Sequence, residues 1–335
     1  MFFEKKGATP LQFFLKAVYA LRLIDYLICV ALGIGGWLIG RYVHPYCRPF
    51  SWDDPSIGYP YGGAGTFPGW TLAAIAILPC VVYVVLELIR ALRIKNEIFE
   101  SSVLEEYCNS NDSHADRAGS ADGTGRRPIN AGSRENGCTD AEKTAVMETV
   151  KHKRWYIALE IANHWILAQV FSVTLCIFVI DTTKLYAGRL RPDFIARLRK
   201  EGYSPSSKDV DWCSLAREGR LSFPSGHSGI SFASIVPLVI YLLGIFLALN
   251  GRSLWRGVVS LIPLILPITV AVSRTRDNRH HFSDILAGSV IGTCCAIFAV
   301  MCLFTFSDRK GIPLPSRLQY SFKKESWIPG GGIIV

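Results

Sequence analysis

The segment Ser273–Asp284 reads SRTRDNRHHFSD and gathers Ser273, Arg274, Arg276, Arg279, His280, His281 and Asp284 between two apolar runs. Cationic side chains beside a titratable imidazole suit an anion that is first held and then attacked. His280 and Asp284 are four residues apart, so on a helix they would share a face. A carboxylate there would hold the ring in one tautomer and strengthen it as a base. Taken alone, the segment reads more readily as a basic connector that contains two histidines.

Two upstream segments add weight to the chemical reading. Lys184–Pro192 reads KLYAGRLRP, with Lys184 and Arg191 as its outer cations, and Pro224–His227 reads PSGH. Each lies at the end of an apolar run. Together the three segments would supply a phosphate cradle, a second imidazole and a nucleophile oriented by Asp284.

The elements that must position these residues are membrane spans. Half of the 335 residues are hydrophobic. A hydrocarbon core of roughly 30 Å needs about 20 apolar residues per helix. Runs of that kind lie near Leu23–Gly40, Trp70–Ile94, Trp155–Ile180, Ile230–Leu249, Leu254–Val272 and Ile285–Phe306. Buried helices of a soluble protein are seldom so long or so free of charge. The expected fold is therefore all-α and polytopic, with six transmembrane helices. The net charge of +9 does not imply nucleic acid, because the basic residues sit in connectors and tails, where they suit lipid headgroups or a phosphate ligand. No short leader with a cleavage site precedes the first run, which reads as an uncleaved anchor. Most of the ten cysteines lie in apolar runs as small buried hydrophobes, and no Cys/His spacing suggests a zinc site.

Residues 1–22 read as a cytosolic, interfacial segment, with an Arg22–Asp25 ion pair at its end. The first connector holds Tyr59–Trp70, YPYGGAGTFPGW, either a turn-rich interfacial loop or a wall of a substrate portal. Glu87 and Arg90 read as a snorkelling pair. Residues 100–150 form an insert whose polar stretch Asn109–Arg134 cannot bury enough apolar surface to order itself, and it contains the sequon Asn111-Asp112-Ser113. Glu160 and His164 share a helical face, as an interhelical pair or a proton relay. Residues 307–335 are a basic tail.

Span parity places Arg41–Gly69, Asp181–Ser228 and Ser273–Asp284 on one side of the membrane, and the termini with Lys95–Arg154 on the other. Basic residues on the second set favour a cytosolic assignment for it, although the first set is basic too. Cys47 and Cys213 are the only cysteines in the non-cytosolic connectors, where a disulfide is permitted. They form either a bridge or two unpaired thiols, and a Cα separation within about 7 Å is the condition for bridging.

The ordered set K-x6-R-P, P-S-G-H and S-R-x5-H-x3-D resembles the type 2 phosphatidic acid phosphatase superfamily. The six-span plan over residues 23–306 looks like its integral-membrane lipid phosphate phosphatase branch. The resemblance implies hydrolysis of phosphatidic acid, lysophosphatidate, diacylglycerol pyrophosphate or sphingoid phosphates, with no cofactor and no metal. It implies His280 as nucleophile through a phosphohistidine, His227 as general acid and base, and Asp284 as the group that orients His280. Lys184, Arg191, Ser225, Gly226 and Arg274 would bind phosphate. The expected partners are a membrane lipid phosphate and the bilayer, with no nucleic acid; a homo-oligomer stays open. The expected location is the plasma membrane or endoplasmic reticulum, with cytosolic termini and a lumenal or extracellular site. The alternatives are a sugar-phosphate or sphingoid-base phosphatase, a catalytically silent membrane scaffold, and a transporter.

Overall fold

A computed structural model describes residues 21–63, 65–92, 144, 154–246, 248, 254–306 and 313–315. The expected interfacial segment up to residue 20, most of the 100–150 insert with Asn111, and most of the 307–335 tail lie outside the described residues. The helices are α1 (Leu23–Tyr42), α2 (Gly69–Leu92), α3 (Arg154–Ala187), the short α4 (Phe194–Lys200), α5 (Gly226–Ile245), α6 (Leu254–Leu261), α7 (Ile265–Arg276) and α8 (Phe282–Leu303). Six stretches are long and apolar enough to cross a membrane, with α6 and α7 forming one of them. α1 shows why: it is apolar around its whole circumference and leaves Leu27, Ile34 and Trp37 uncovered. A helix of that kind belongs in lipid. The chain is a helical multi-pass membrane protein.

The ends of the spans differ from the sequence expectation in one useful way. α3 runs on to Ala187, α7 to Arg276, and α5 and α8 begin at Gly226 and Phe282. Lys184, His227, Arg274 and Asp284 therefore sit in terminal helical turns, whereas Arg191 and His280 lie in the connectors beside them. Hydropathy ends where charge begins, but the helix continues beyond the hydrocarbon because its backbone hydrogen bonds still pair. The fifth span is broken at Ile262–Leu264, where a 3-10 turn carries Pro263 and Pro267 follows in α7. A proline lacks the N–H that a continuous helix would need. One short antiparallel ladder, Phe304–Phe306 with Pro313–Pro315, adds to the helices.

The chain packs as two units. The first comprises Met1–Val81, Trp165–Ile240 and Leu261–Val300 and holds every motif. Its connectors make a small aromatic core in which Phe194, Leu198 and Ile57 are buried against Phe50, Trp52 and Trp212. Phe50 meets the rings of Phe194 and Trp212 edge-on at 5.0 and 5.8 Å. Cys47 and Cys213, next in sequence to residues of this region, are joined in a disulfide with Cα atoms 5.3 Å apart. Arg220, fully buried, donates to the carbonyls of Arg48 (3.1 Å) and Trp212 (2.6 Å), the residues next to each cysteine in sequence.

The second unit comprises Val82–His164, Tyr241–Ser260 and Met301–Val335. Here Glu87 is buried rather than snorkelling. It pairs with Arg90 and accepts from Tyr241 Oη at 2.9 Å. His164 Nδ1 bonds the Glu160 carbonyl within its own helix, at 2.8 Å. The expected Arg22–Asp25 pair forms at 2.6 Å, in the first unit.

Candidate active site

α3 delivers Lys184 in its last turn and then stops at Gly188, whose φ of +52° is the left-handed conformation that ends helices. The Gly188 N–H returns to the Lys184 carbonyl at 3.0 Å, and a Cβ on Gly188 would collide with the Tyr46 carbonyl. Lys184 Nζ lies 3.9 Å from Asp181 Oδ1 and would stand 2.8 Å from a Cβ on Gly226, so the lysine reaches the backbone at the head of α5. Arg191 is fixed by its own backbone, which donates to the Gly219 carbonyl at 2.8 Å. Its guanidinium is buried, 3.6 Å from the exposed carboxylate of Glu218, and its Nε has no hydrogen-bond partner among the described residues. Burial pushes the Arg191 guanidinium down to about 10, with Glu218 opposing the shift, so it stays cationic at neutral pH. Both cations line a half-open cleft of about 270 Å³ together with Trp37, Gly40, Asp181 and Glu218.

α5 begins directly after Ser225, whose hydroxyl accepts from Ser228 N at 3.4 Å and Ser228 Oγ at 3.1 Å. The first N–H groups of any helix lack intrahelical partners and attract anions. His227 follows in that first turn, and its Nε2 is buried without a hydrogen-bond partner among the described residues. Arg274, Lys184 and Arg191 all lie within electrostatic reach of it.

Arg274 is almost fully buried in the last turn of α7. It donates to Asp277 Oδ2 at 2.8 Å, to the Phe67 carbonyl at 3.2 Å and to Ser273 Oγ at 3.1 Å. Asp277 in turn accepts from the Thr66 N–H and hydroxyl at 2.8 and 2.7 Å. Arg279 reaches the Gly63 carbonyl and stacks on Tyr61 at 5.3 Å. The aromatic loop 59–67 is thus tied to the histidine segment instead of lying free at the interface.

His280 lies before the start of α8. Its Nδ1 donates to the Ser222 carbonyl at 2.6 Å, which leaves the lone pair on Nε2. Burial drives its proton affinity down to about 3, against a raising contribution from Asp284, with Arg191 and Lys184 lowering it further. The ring is neutral at physiological pH. His281 points elsewhere, with Nε2 donating to the Leu190 carbonyl at 3.1 Å. Asp284 is fully buried and accepts from Arg189 Nη1 (2.7 Å), Ser222 Oγ (2.6 Å) and the His281 N–H (2.9 Å). It stands 3.9 Å from His280 Nδ1, beyond hydrogen-bond distance.

Residues 165–308 match the PAP2 superfamily. This part of the chain is similar to a PAP2 domain. The family resemblance read from the motifs therefore holds, and all three motifs fall inside the matched segment. A PA-phosphatase related-family protein of Dictyostelium discoideum is 40% identical over 152 residues, 44% of this chain and 51% of that protein. Diacylglycerol pyrophosphate phosphatase 1 of Saccharomyces cerevisiae is 37% identical over 149 residues, 41% of this chain and 50% of that protein. Lipid phosphate phosphatase 2 of Arabidopsis thaliana is 34% identical over 150 residues, 42% of this chain and 51% of that protein. The chain spans about half the length of these relatives. No solved structure matches it significantly.

The structure brings Lys184, Arg191, Ser225, Gly226, His227, Arg274, His280 and Asp284 into one cluster. Two contacts differ from the sequence reading. The partner of His280 is a backbone carbonyl, and the carboxylate of Asp284 is held by Arg189 and Ser222. The four-residue spacing implied a shared helical face, but α8 begins after His280, so that rule does not act there. Arg189 carries a signal in retrospect, as a third cation inside KLYAGRLRP; the Ser222 carbonyl carries none. The site can grip a dianion, attack it from Nε2 of a neutral imidazole, and pass a proton through a second imidazole.

Proposed function

We propose that the chain hydrolyses lipid phosphomonoesters through a phosphohistidine on His280. The observation that carries this reading is the buried His280 ring, whose Nδ1 is given to the Ser222 carbonyl so that Nε2 keeps its lone pair, with Lys184 and Arg191 within electrostatic reach. Lys184, Arg191 and Arg274 hold the phosphate oxygens, aided by Ser225 and the Gly226 N–H at the head of α5. The Nε2 lone pair forms the N–P bond as the P–O bond to the lipid breaks. His227 gives its proton to the departing alkoxide; a bound dianion beside the ring favours the imidazolium needed for this. Water then attacks phosphorus, His227 takes the water's proton, the N–P bond breaks and inorganic phosphate leaves. The guanidinium and ammonium groups stabilise charge on the transferring phosphoryl group.

The relatives' names support lipid phosphates as the substrate class, with phosphatidate and diacylglycerol pyrophosphate as the first candidates. Cytosolic termini, a cytosolic 100–150 insert and a lumenal or extracellular site complete the proposal, in the plasma membrane or the endoplasmic reticulum. The Cys47–Cys213 bridge supports an oxidising site face. The test is phosphate release by purified protein from micellar phosphatidate, lysophosphatidate, diacylglycerol pyrophosphate and sphingoid phosphate in EDTA. Turnover in EDTA by wild type, and none by a folded His280→Ala variant, is expected. Turnover surviving in His280→Ala, or wild-type inactivity on the whole panel, overturns the reading.

A further inference from the structure

Ser222 is gripped from three sides. Its N–H donates to the Arg189 carbonyl at 3.0 Å, its hydroxyl donates to Asp284 Oδ2 at 2.6 Å, and its carbonyl accepts from His280 Nδ1 at 2.6 Å. Arg189 closes the arrangement, because Nη1 binds Asp284 Oδ1 at 2.7 Å and Ser283 Oγ at 2.7 Å. Asp284 therefore reaches His280 by two routes, through Ser222 and by its own approach to Nδ1 at 3.9 Å, and among the described residues Arg189 is the one arginine or lysine paired with that buried carboxylate.

We infer that Arg189 and Ser222 are positioning residues for His280: Arg189 anchors and neutralises Asp284, Asp284 fixes Ser222, and the Ser222 carbonyl fixes the ring so that Nε2 is the free nitrogen. The inference rests on the phosphohistidine reading above. Its physical content is a division of charge. Lys184 from α3, Arg191 from the connector and Asp284 from α8 are the charged groups that act on His280, and His227 at the head of α5 is the other imidazole of the site. With Arg189 in place, the Asp284 charge is committed to a guanidinium, and the two cations beside His280 keep the ring neutral. Without Arg189, the buried carboxylate has His280 as its nearest cationic partner. An uncompensated buried carboxylate then favours the imidazolium, which cannot attack.

The experiment compares wild type, Arg189→Met, Arg189→Lys and Ser222→Ala on micellar phosphatidate, with kcat and KM measured across pH. In Arg189→Met the acidic limb of the kcat/KM profile moves to higher pH by about one unit, and kcat at the optimum falls about ten-fold with KM little changed. Arg189→Lys restores the position of the acidic limb. Ser222→Ala keeps the carbonyl but removes one donor from Asp284, and it moves the limb in the same direction by less. A purely structural role lowers activity by one factor at all pH values and leaves the limb in place. Wild-type limbs in Arg189→Met, or in Ser222→Ala should the first variant not fold, overturn the inference. Wild type that turns over no lipid phosphate sinks the functional reading instead, a distinguishable outcome.

Discussion

Arg191 already holds a carboxylate before any substrate arrives. Glu218 Oε2 sits 3.6 Å from its guanidinium, and the glutamate side chain is 68% exposed. An ion pair with one partner so exposed is worth about 1 kcal/mol or less. A phosphate dianion can displace it, but must compete with it. The turn bearing Glu218 does not depend on that contact, since the Gly219 carbonyl and the buried Arg220 secure it from either side. Glu218→Gln should therefore keep the fold and kcat while lowering both KM for micellar phosphatidate and the inhibition constant of inorganic phosphate about two- to five-fold. An unchanged or raised KM would refute a competing role. Other parts of the residue scale were legible earlier. Two histidines, flanking cations and a carboxylate announce phosphoryl chemistry by type and order alone. Arg189 and Ser222 escaped because Lys184 and Arg191 already accounted for the charge of their segment, and a bond to a backbone carbonyl leaves no trace in residue identity.

Between elements, α5 and α8 must bring PSGH against the His280 segment. They approach through glycines. A Cβ on Gly292 would stand 2.1 Å from the Gly229 carbonyl oxygen, and one on Gly288 would stand 2.4 Å from that of Ser225. Both obstacles are backbone, so no side-chain rotation relieves them. Small residues of this kind let membrane helices pack by close van der Waals contact. Gly292→Leu should part the helices, lower thermal stability by about 1–3 kcal/mol and reduce kcat, because Ser225 and His227 move away from His280. Gly257→Ala is the control: its Cβ meets nothing within 4 Å, and its melting temperature should not fall. Native-like melting and turnover in Gly292→Leu would contradict the packing argument. The number and order of spans were legible because the bilayer imposes length and apolarity on each. The helix ends were not, since hydropathy cannot mark where a helix continues into water. Nor was the aromatic core of the connectors, in which Phe50 and Trp52 meet Trp212 from a connector about 160 residues further along the chain.

For the molecule as a whole, parity and packing agree that the connectors 43–68, 188–225 and 277–281 share one face, since hydrogen bonds join all three. Which way that face points is a separate question. The distribution of Lys and Arg is ambiguous, because the site's own cations sit on the face that positive-inside bias would assign to the far side. The disulfide supports one of the two orientations. Cys47 and Cys213 lie within those connectors, 166 residues apart in sequence, and such bridges persist in oxidising compartments. Closing so long a loop stabilises a soluble chain by on the order of 5 kcal/mol, and a membrane chain by less, because the spans already restrict its unfolded forms. The site face should therefore be lumenal or extracellular, and the segment Lys95–Arg154 cytosolic. Glycosylation reads this directly in a eukaryotic host, since acceptor asparagines are modified only on the lumenal side. Asn111, although in a sequon, should carry no glycan. Pro205→Asn creates a sequon with Ser206 and Ser207 in the exposed part of the 188–225 connector, and that variant should gain a glycosidase-sensitive mobility shift. A shift in the natural chain that disappears in Asn111→Gln, with none in Pro205→Asn, would invert the orientation and place both the disulfide and the site in the cytosol.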